Sequence, residues 1–174
     1  MAEQEGAITF KGDPLTLIGQ DVSVGDQAVD FTAIANDLSE KSLSDWSGKV
    51  IVLSSVPSLD TSVCSTQTKK FNDAAGELSD NVVILTLSMD LPFAQARWCG
   101  RQDADRIVTL SDHRDADFAT KYGLLIKELR LLARAVLVVD TGGRVVYKEL
   151  VEEMTDEPNY DAALAAVRQA TEQS

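Results

Sequence analysis

The run from Val50 to Cys64, VIVLSSVPSLDTSVC, constrains this chain more than any other segment. Val50-Ile51-Val52-Leu53 is apolar and β-branched, and short enough to be an inner parallel strand covered on both faces. Past the turn, Phe71, Ala74, Ala75 and Leu78 fall at i, i+3, i+4 and i+7, which predicts an amphipathic helix from about Ser62 to Leu78. Stepping seven residues back from Phe71 reaches Cys64, so its sulfur faces inward in the helix's first turn. A helix N-terminus gathers unsatisfied N–H groups and the positive end of the dipole, which favour an anion. A thiolate placed there is stabilised, and the thiolate is the nucleophilic form of cysteine. A lone inward cysteine is more often inert core. Pro57 and Thr61, at a strand-to-helix turn just upstream, tip the reading towards a reactive residue.

The remaining pattern supplies the rest of an α/β fold. Ala7–Phe10 and Leu15–Ile18 alternate around Lys11-Gly12-Asp13-Pro14 and read as a β-hairpin. Asp30–Ile34 suits a short strand, and Leu43–Lys49 a turn or short helical piece. Val82–Leu87 is a second buried strand, and a crossover this short implies a parallel, right-handed pair with the first. In Leu91–Gly100, proline at the start and glycine at the exit predict a short helix ending near Cys99. Ile107–Leu110 reads as a strand, and Asp115–Tyr122 as a helix stopped by Gly123. Ala135–Asp140 and Arg144–Lys148 form an antiparallel hairpin around Thr141-Gly142-Gly143. Tyr160 to about Gln169 closes the chain as an amphipathic helix with Ala163, Leu164 and Val167 inward. This order gives a three-layer α/β domain of thioredoxin-like layout with an added N-terminal β-hairpin at about 7–18. One such domain accounts for residues 1–174, without repeats or linkers.

Composition narrows the chemistry. Twenty-eight acids against 16 bases leave a net charge of −12. An acidic surface argues against nucleic acid or anionic membrane as a partner. The acidic start Met1-Ala2-Glu3-Gln4-Glu5 is no signal-peptide n-region, and no apolar run is long enough to span a membrane. A cytoplasmic protein is expected. Two cysteines, Cys64 and Cys99, and the single histidine His113 do not make a zinc site, so no metal or other cofactor is expected. In a reducing compartment a cysteine pair that matters is one that cycles. His113 lies in the polar run Ser111–Asp115 and reads as a solvated loop residue. Trp46 and Trp98 read as packing residues, Trp98 also as a reporter on its neighbour Cys99.

Pro57, Thr61 and Cys64 stand as Pro-x-x-x-Thr-x-x-Cys. Pro57 stiffens the loop and shields the sulfur, and Thr61 lies one helical turn before Cys64, where its hydroxyl reaches the sulfur or an oxygen beside it. Arg134 precedes an apolar strand, where a charge is costly unless partnered. In this arrangement the chain resembles the peroxiredoxins, and among them the thiol peroxidase subfamily. The resemblance extends through Phe93-Ala94-Gln95-Ala96-Arg97-Trp98-Cys99-Gly100, Leu131–Val136 and Asp156-Glu157-Pro158-Asn159-Tyr160. It departs from the family pattern at Val29, where many peroxiredoxins carry proline, and in a shorter Gly123–Leu131 segment.

The resemblance implies a peroxidase acting on hydrogen peroxide and alkyl hydroperoxides. Cys64 would be the peroxidatic cysteine and become a sulfenic acid. Thr61 would hydrogen-bond the peroxide, and Arg134 would face the thiolate and the developing charge. Cys99 would be the resolving cysteine, forming a disulfide with Cys64 that thioredoxin reduces. A homodimer is implied on the same ground. Placement of the cysteines on two helical segments implies local unwinding around both before the disulfide forms. The competing reading is a thioredoxin-like sensing or binding module whose disulfide signals with little turnover. A general disulfide oxidoreductase is disfavoured, because no Cys-x-x-Cys is present. A cysteine hydrolase is also disfavoured, because its base would have to be His113.

Overall fold

The computed structural model describes residues 2–173. Strand β1 (Glu3–Phe10) and strand β2 (Asp13–Ile18) form the N-terminal hairpin, four residues longer at its start than the alternation alone predicts. Lys11 and Gly12, both with positive φ, make the two-residue turn whose twist suits such a hairpin. Strands β3 (Thr32–Ala35) and β4 (Glu40–Ser42) follow, then a 3-10 turn at Leu43–Trp46. Strand β5 (Val50–Ser55) leads into helix α1 (Ser62–Ala75), then strand β6 (Val82–Ser88) and helix α2 (Pro92–Gln102). Strand β7 (Val108–Ser111), helix α3 (Asp117–Lys121) and strand β8 (Leu125–Ile126) come next, before strands β9 (Ala135–Val139) and β10 (Val145–Leu150) and helix α4 (Tyr160–Glu172).

Seven strands form one sheet in the order β10-β9-β5-β6-β7-β3-β4. Every residue of β5 is buried, the apolar run Val50–Leu53 as expected and the two serines that follow it as well. It pairs parallel with β6, from Val50 opposite Val82 to Ser55 opposite Leu87, and antiparallel with β9 on its other edge. Side chains alternate across a strand, so these central strands feed two cores. Val50, Val52, Ile84, Val136 and Val138 pack with Cys64 and Phe71 of α1, Trp98 of α2, and Ala163 and Val167 of α4. Ile51, Leu53, Leu85, Leu87 and Leu137 pack on the opposite face with Phe31, Phe118 and Ile126, and with Ile8 and Leu17 of the hairpin. The three layers expected of the element order are present.

The second core is closed by a smaller sheet, β1-β2-β8, which the sequence pattern leaves out because β8 has only two residues. Its attachment needs two glycines. A Cβ on Gly19 (φ +130°) would lie 2.3 Å from the Thr120 carbonyl oxygen, and one on Gly123 (φ +67°) 2.4 Å from that of Gln20. Only glycine allows these two backbones to approach so closely.

Helix ends differ from the periodicity in four places, the simplest being α4, which runs on to Glu172 rather than stopping near Gln169. Helix α1 stops at Ala75, because Gly76, with its poor helix propensity, follows and the chain turns towards β6; Leu78 lies beyond it. Helix α2 continues past Cys99 and Gly100 to Gln102. Asp103, at φ 51°, supplies the left-handed cap expected of the glycine, and its N–H bonds the Cys99 carbonyl. Helix α3 is shorter than Asp115–Tyr122, and Ala116 precedes it in a left-handed conformation. Among the described residues no helix is long and apolar enough to cross a membrane.

Candidate active site

Helix α1 begins where the sequence places it. Thr61 is its N-cap, and the threonine Oγ1 accepts from the Cys64 N–H at 3.4 Å while donating to the Ser58 carbonyl at 3.1 Å. Thr61 is therefore a cap on the exposed rim, three residues before a cysteine whose side chain is fully buried. Pro57 is buried at the head of the loop. The Cys64 carbonyl receives the Thr68 hydroxyl at 2.8 Å, which holds the first turn to the second.

Arg134 stands immediately before β9 and is 2% exposed. Its Nη2 lies 3.3 Å from Cys64 Sγ, so residues seventy apart in sequence meet. The same Nη2 donates to the Met154 carbonyl at 2.8 Å, as does Nε at 3.2 Å. Nη1 donates to Gln67 Oε1 at 2.9 Å, and Gln67 Nε2 in turn donates to Ser54 Oγ at 2.9 Å. A buried cation whose other acceptors are a carbonyl and an amide oxygen is electrostatically complementary to negative charge on the sulfur.

Cys99 lies elsewhere on the same apolar cluster. It is partly buried on α2, and its Sγ is 3.7 Å from Thr109 Oγ1 on β7, which donates to Asn36 at 2.8 Å. Burial pushes the Cys99 thiol up, with hydrogen bonds from Thr109 and Asn36 opposing the shift. Both cysteines are free. Cys64 faces Arg134 from the first turn of α1, whereas Cys99 faces Thr109 of β7 from α2, so the two sulfurs have different partners. Trp98 bridges the two helices, its indole N–H donating to Ser65 Oγ at 3.2 Å. His113 is an exposed loop residue, its Nδ1 2.8 Å from Ser111 Oγ.

Sequence reasoning missed Gln67, Ser54 and the Met154 carbonyl. Gln67 carried a signal: it sits one turn after Cys64 on the buried stripe of α1, where a polar residue needs a partner. A backbone carbonyl carries none.

Residues 23–164 match the Redoxin family. The chain is 56% identical over 161 residues to a thiol peroxidase of Bacillus subtilis, covering 92% of this chain and 96% of that one. It is 53% identical over 161 residues to one from Staphylococcus aureus, covering 92% and 97%. The chain belongs to the Redoxin family, among its thiol peroxidases. A crystal structure of a peroxiredoxin-like protein from Aquifex aeolicus superposes with a TM-score of 0.89 at 40% identity, covering 95% of this chain and 97% of that one. A thiol peroxidase from Chromobacterium violaceum, 20% identical with a TM-score of 0.82, shares the fold over 96% and 98% of the two chains. The family resemblance read from the motifs around Cys64, Cys99 and Arg134 is thereby borne out, and so is the thioredoxin-like fold.

Proposed function

We propose that Cys64 is the peroxidatic cysteine of this thiol-dependent peroxidase and Cys99 its resolving partner. Peroxidase activity follows from family membership; the residue roles rest on the site. The observation that carries them is the Arg134 Nη2 to Cys64 Sγ contact at 3.3 Å.

The Cys64 thiolate attacks the terminal oxygen of a hydroperoxide, forming an S–O bond as the O–O bond breaks. The departing alkoxide or hydroxide takes up a proton, leaving Cys64 as a sulfenic acid. Arg134 faces the charge that moves from sulfur to oxygen, and its fixed donors need little reorganisation. The Thr61 hydroxyl exchanges the Ser58 carbonyl for a peroxide oxygen, and Pro57 stiffens the loop beside it. The Cys99 thiol then condenses with the sulfenic acid. An S–S bond forms, the S–O bond breaks, and water leaves carrying the thiol proton. The Cys99 thiol, raised by burial, suits this second role rather than attack on peroxide. Local unwinding of the two helical segments brings the sulfurs together. An external dithiol restores both thiols; we assign that task to thioredoxin, in the cytoplasm, with the enzyme acting as a homodimer.

Cys64→Ser is expected to abolish peroxide consumption. Cys99→Ser is expected to permit one turnover and trap a Cys64 sulfenate, seen by intact mass and peptide mapping. Wild-type consumption by the Cys64→Ser protein refutes the assignment. Omitting thioredoxin from a coupled assay tests the reductant, and light scattering tests the dimer.

A further inference from the structure

The peroxidatic loop and the helix carrying Cys99 are joined by one carboxylate. Asp90, just after β6, accepts from Ser58 Oγ on Oδ1 at 2.7 Å and from the Leu59 N–H on Oδ2 at 2.7 Å. These two residues belong to the loop that ends in Thr61 and Cys64. The same Oδ2 accepts from Ser88 Oγ at 2.7 Å, and Ser88 Oγ accepts from Gln95 Nε2 at 3.0 Å. Gln95 is fully buried on α2, one turn before Cys99 on the same helix face, and also donates to the Leu110 carbonyl at 2.9 Å. The Asp90 carbonyl is itself held by the Ser111 hydroxyl of β7.

The bed under α2 is polar and incompletely satisfied. Thr86 and Ser88 alternate onto the α2 face of β6, and Thr109 of β7 reaches Cys99 there. Gln95 Oε1 and Thr86 Oγ1 are buried without a hydrogen-bond partner among the described residues. Lifting α2 lets water reach both atoms, so the helix gives up less on leaving this bed than on leaving an apolar one.

We propose that Asp90 is a positioning residue that couples the two redox steps, holding the Ser58–Leu59 loop for peroxide attack and tying it through Ser88 and Gln95 to the Cys99 helix. The proposal rests on the assignment of Cys64 and Cys99 above. While the clamp is closed, Thr61 and Cys64 are kept in the geometry that meets Arg134. Forming the disulfide requires both segments to move, and release of one carboxylate frees both.

The test is single-turnover oxidation by hydrogen peroxide, followed by Trp98 fluorescence and by acid-quenched peptide mass, in wild type and Asp90→Ala. Asp90→Ala is expected to slow Cys64 sulfenate formation about tenfold, the worth of losing charge-assisted hydrogen bonds. It is expected to speed the later disulfide step severalfold and to reduce over-oxidation to the sulfinic acid at high peroxide. Ser58→Ala, at a half-buried loop position, removes one arm of the clamp without touching the core. It should change both steps in the same opposite senses by less, and it serves if Asp90→Ala does not fold. Variants that leave both rates unaltered, or slow both alike as general loss of structure would, overturn the coupling while wild-type Cys64 oxidation stands. A wild-type protein that forms no Cys64 sulfenate overturns the site assignment and this proposal with it.

Discussion

Arg134 is the residue on which the site turns. Four contacts use three of its nitrogens, and a lysine, being a point charge, cannot reach the Gln67 amide, the Met154 carbonyl and the sulfur together. Arg134→Lys is expected to lower the rate of Cys64 oxidation by about a hundredfold, the scale of losing one preorganised donor to developing charge. Stopped-flow oxidation under single-turnover conditions measures it; a rate within threefold of wild type refutes the electrostatic role. Gln67→Leu strips the partner from both Arg134 Nη1 and Ser54 Oγ. It should cost about 1–3 kcal/mol of stability in denaturant unfolding, because a buried donor is left unmade.

Helix α1 has a strong reason to start where it does. Its cap, Thr61, satisfies the Cys64 N–H, and Phe71, two turns on, seals the stripe against β5 and β6 with no exposure. Thr61→Ala is expected to cost about 1 kcal/mol and to raise hydrogen exchange over the first turn of α1, while Thr61→Ser restores both. Unchanged exchange at Cys64 in Thr61→Ala would show that the cap does not hold this turn. Helix α2 ends less predictably. Glycine at position 100 lies inside it, and Asp103 takes the left-handed cap because its short polar side chain tolerates that backbone. Three further residues of helix beyond Cys99 therefore have to loosen before the sulfur can travel far.

Across the whole molecule, the N-terminal hairpin braces the active site from the opposite layer. The Met154 N–H donates to the Thr9 carbonyl at 2.8 Å, and the Thr9 N–H to the Glu152 carbonyl at 2.6 Å, so β1 grips the peptide whose carbonyl receives Arg134. Glu153 locks this junction, accepting from Thr155, Thr9 and the Gly12 N–H. Those hydrogen bonds, Thr155 first, pull its carboxyl from the usual 4.5 down to about 2. A depressed folded value contributes stability above pH 4.5 that is lost as pH falls towards 2. Asp112 acts in the opposite sense. Burial raises its carboxyl from 3.8 to about 6, although the N–H groups of Phe118 and Ala119 at the start of α3 oppose the shift. Its contribution is present below pH 3.8 and lost as pH rises through 6. Urea unfolding at pH 2–7 should show Glu153→Gln with a weaker acid loss below pH 4.5. Asp112→Asn should show a flatter profile between pH 4 and 6. A Glu153→Gln profile parallel to wild type at low pH refutes the lock.

The strand, loop and helix around Cys64 were legible because they are local: apolar run, proline, cap and inward stripe all lie within one stretch of chain. Apolar runs in β5, β6 and β9 likewise announced strands buried on both faces, and the motifs near Cys99 and Arg134 marked the family. Two-residue β8, the sheet order and the continuation of α2 were not legible, since short strands and helix ends are decided by what packs against them. The same holds for the chemistry. Sequence placed a cysteine at a helix start and a charge before a strand. Only the fold brought Arg134 to the Cys64 sulfur, supplied the Met154 carbonyl through the hairpin, and set Asp90 between the two cysteine segments. Periodicity encodes which way a side chain faces; what it meets there depends on contacts between residues far apart in the chain.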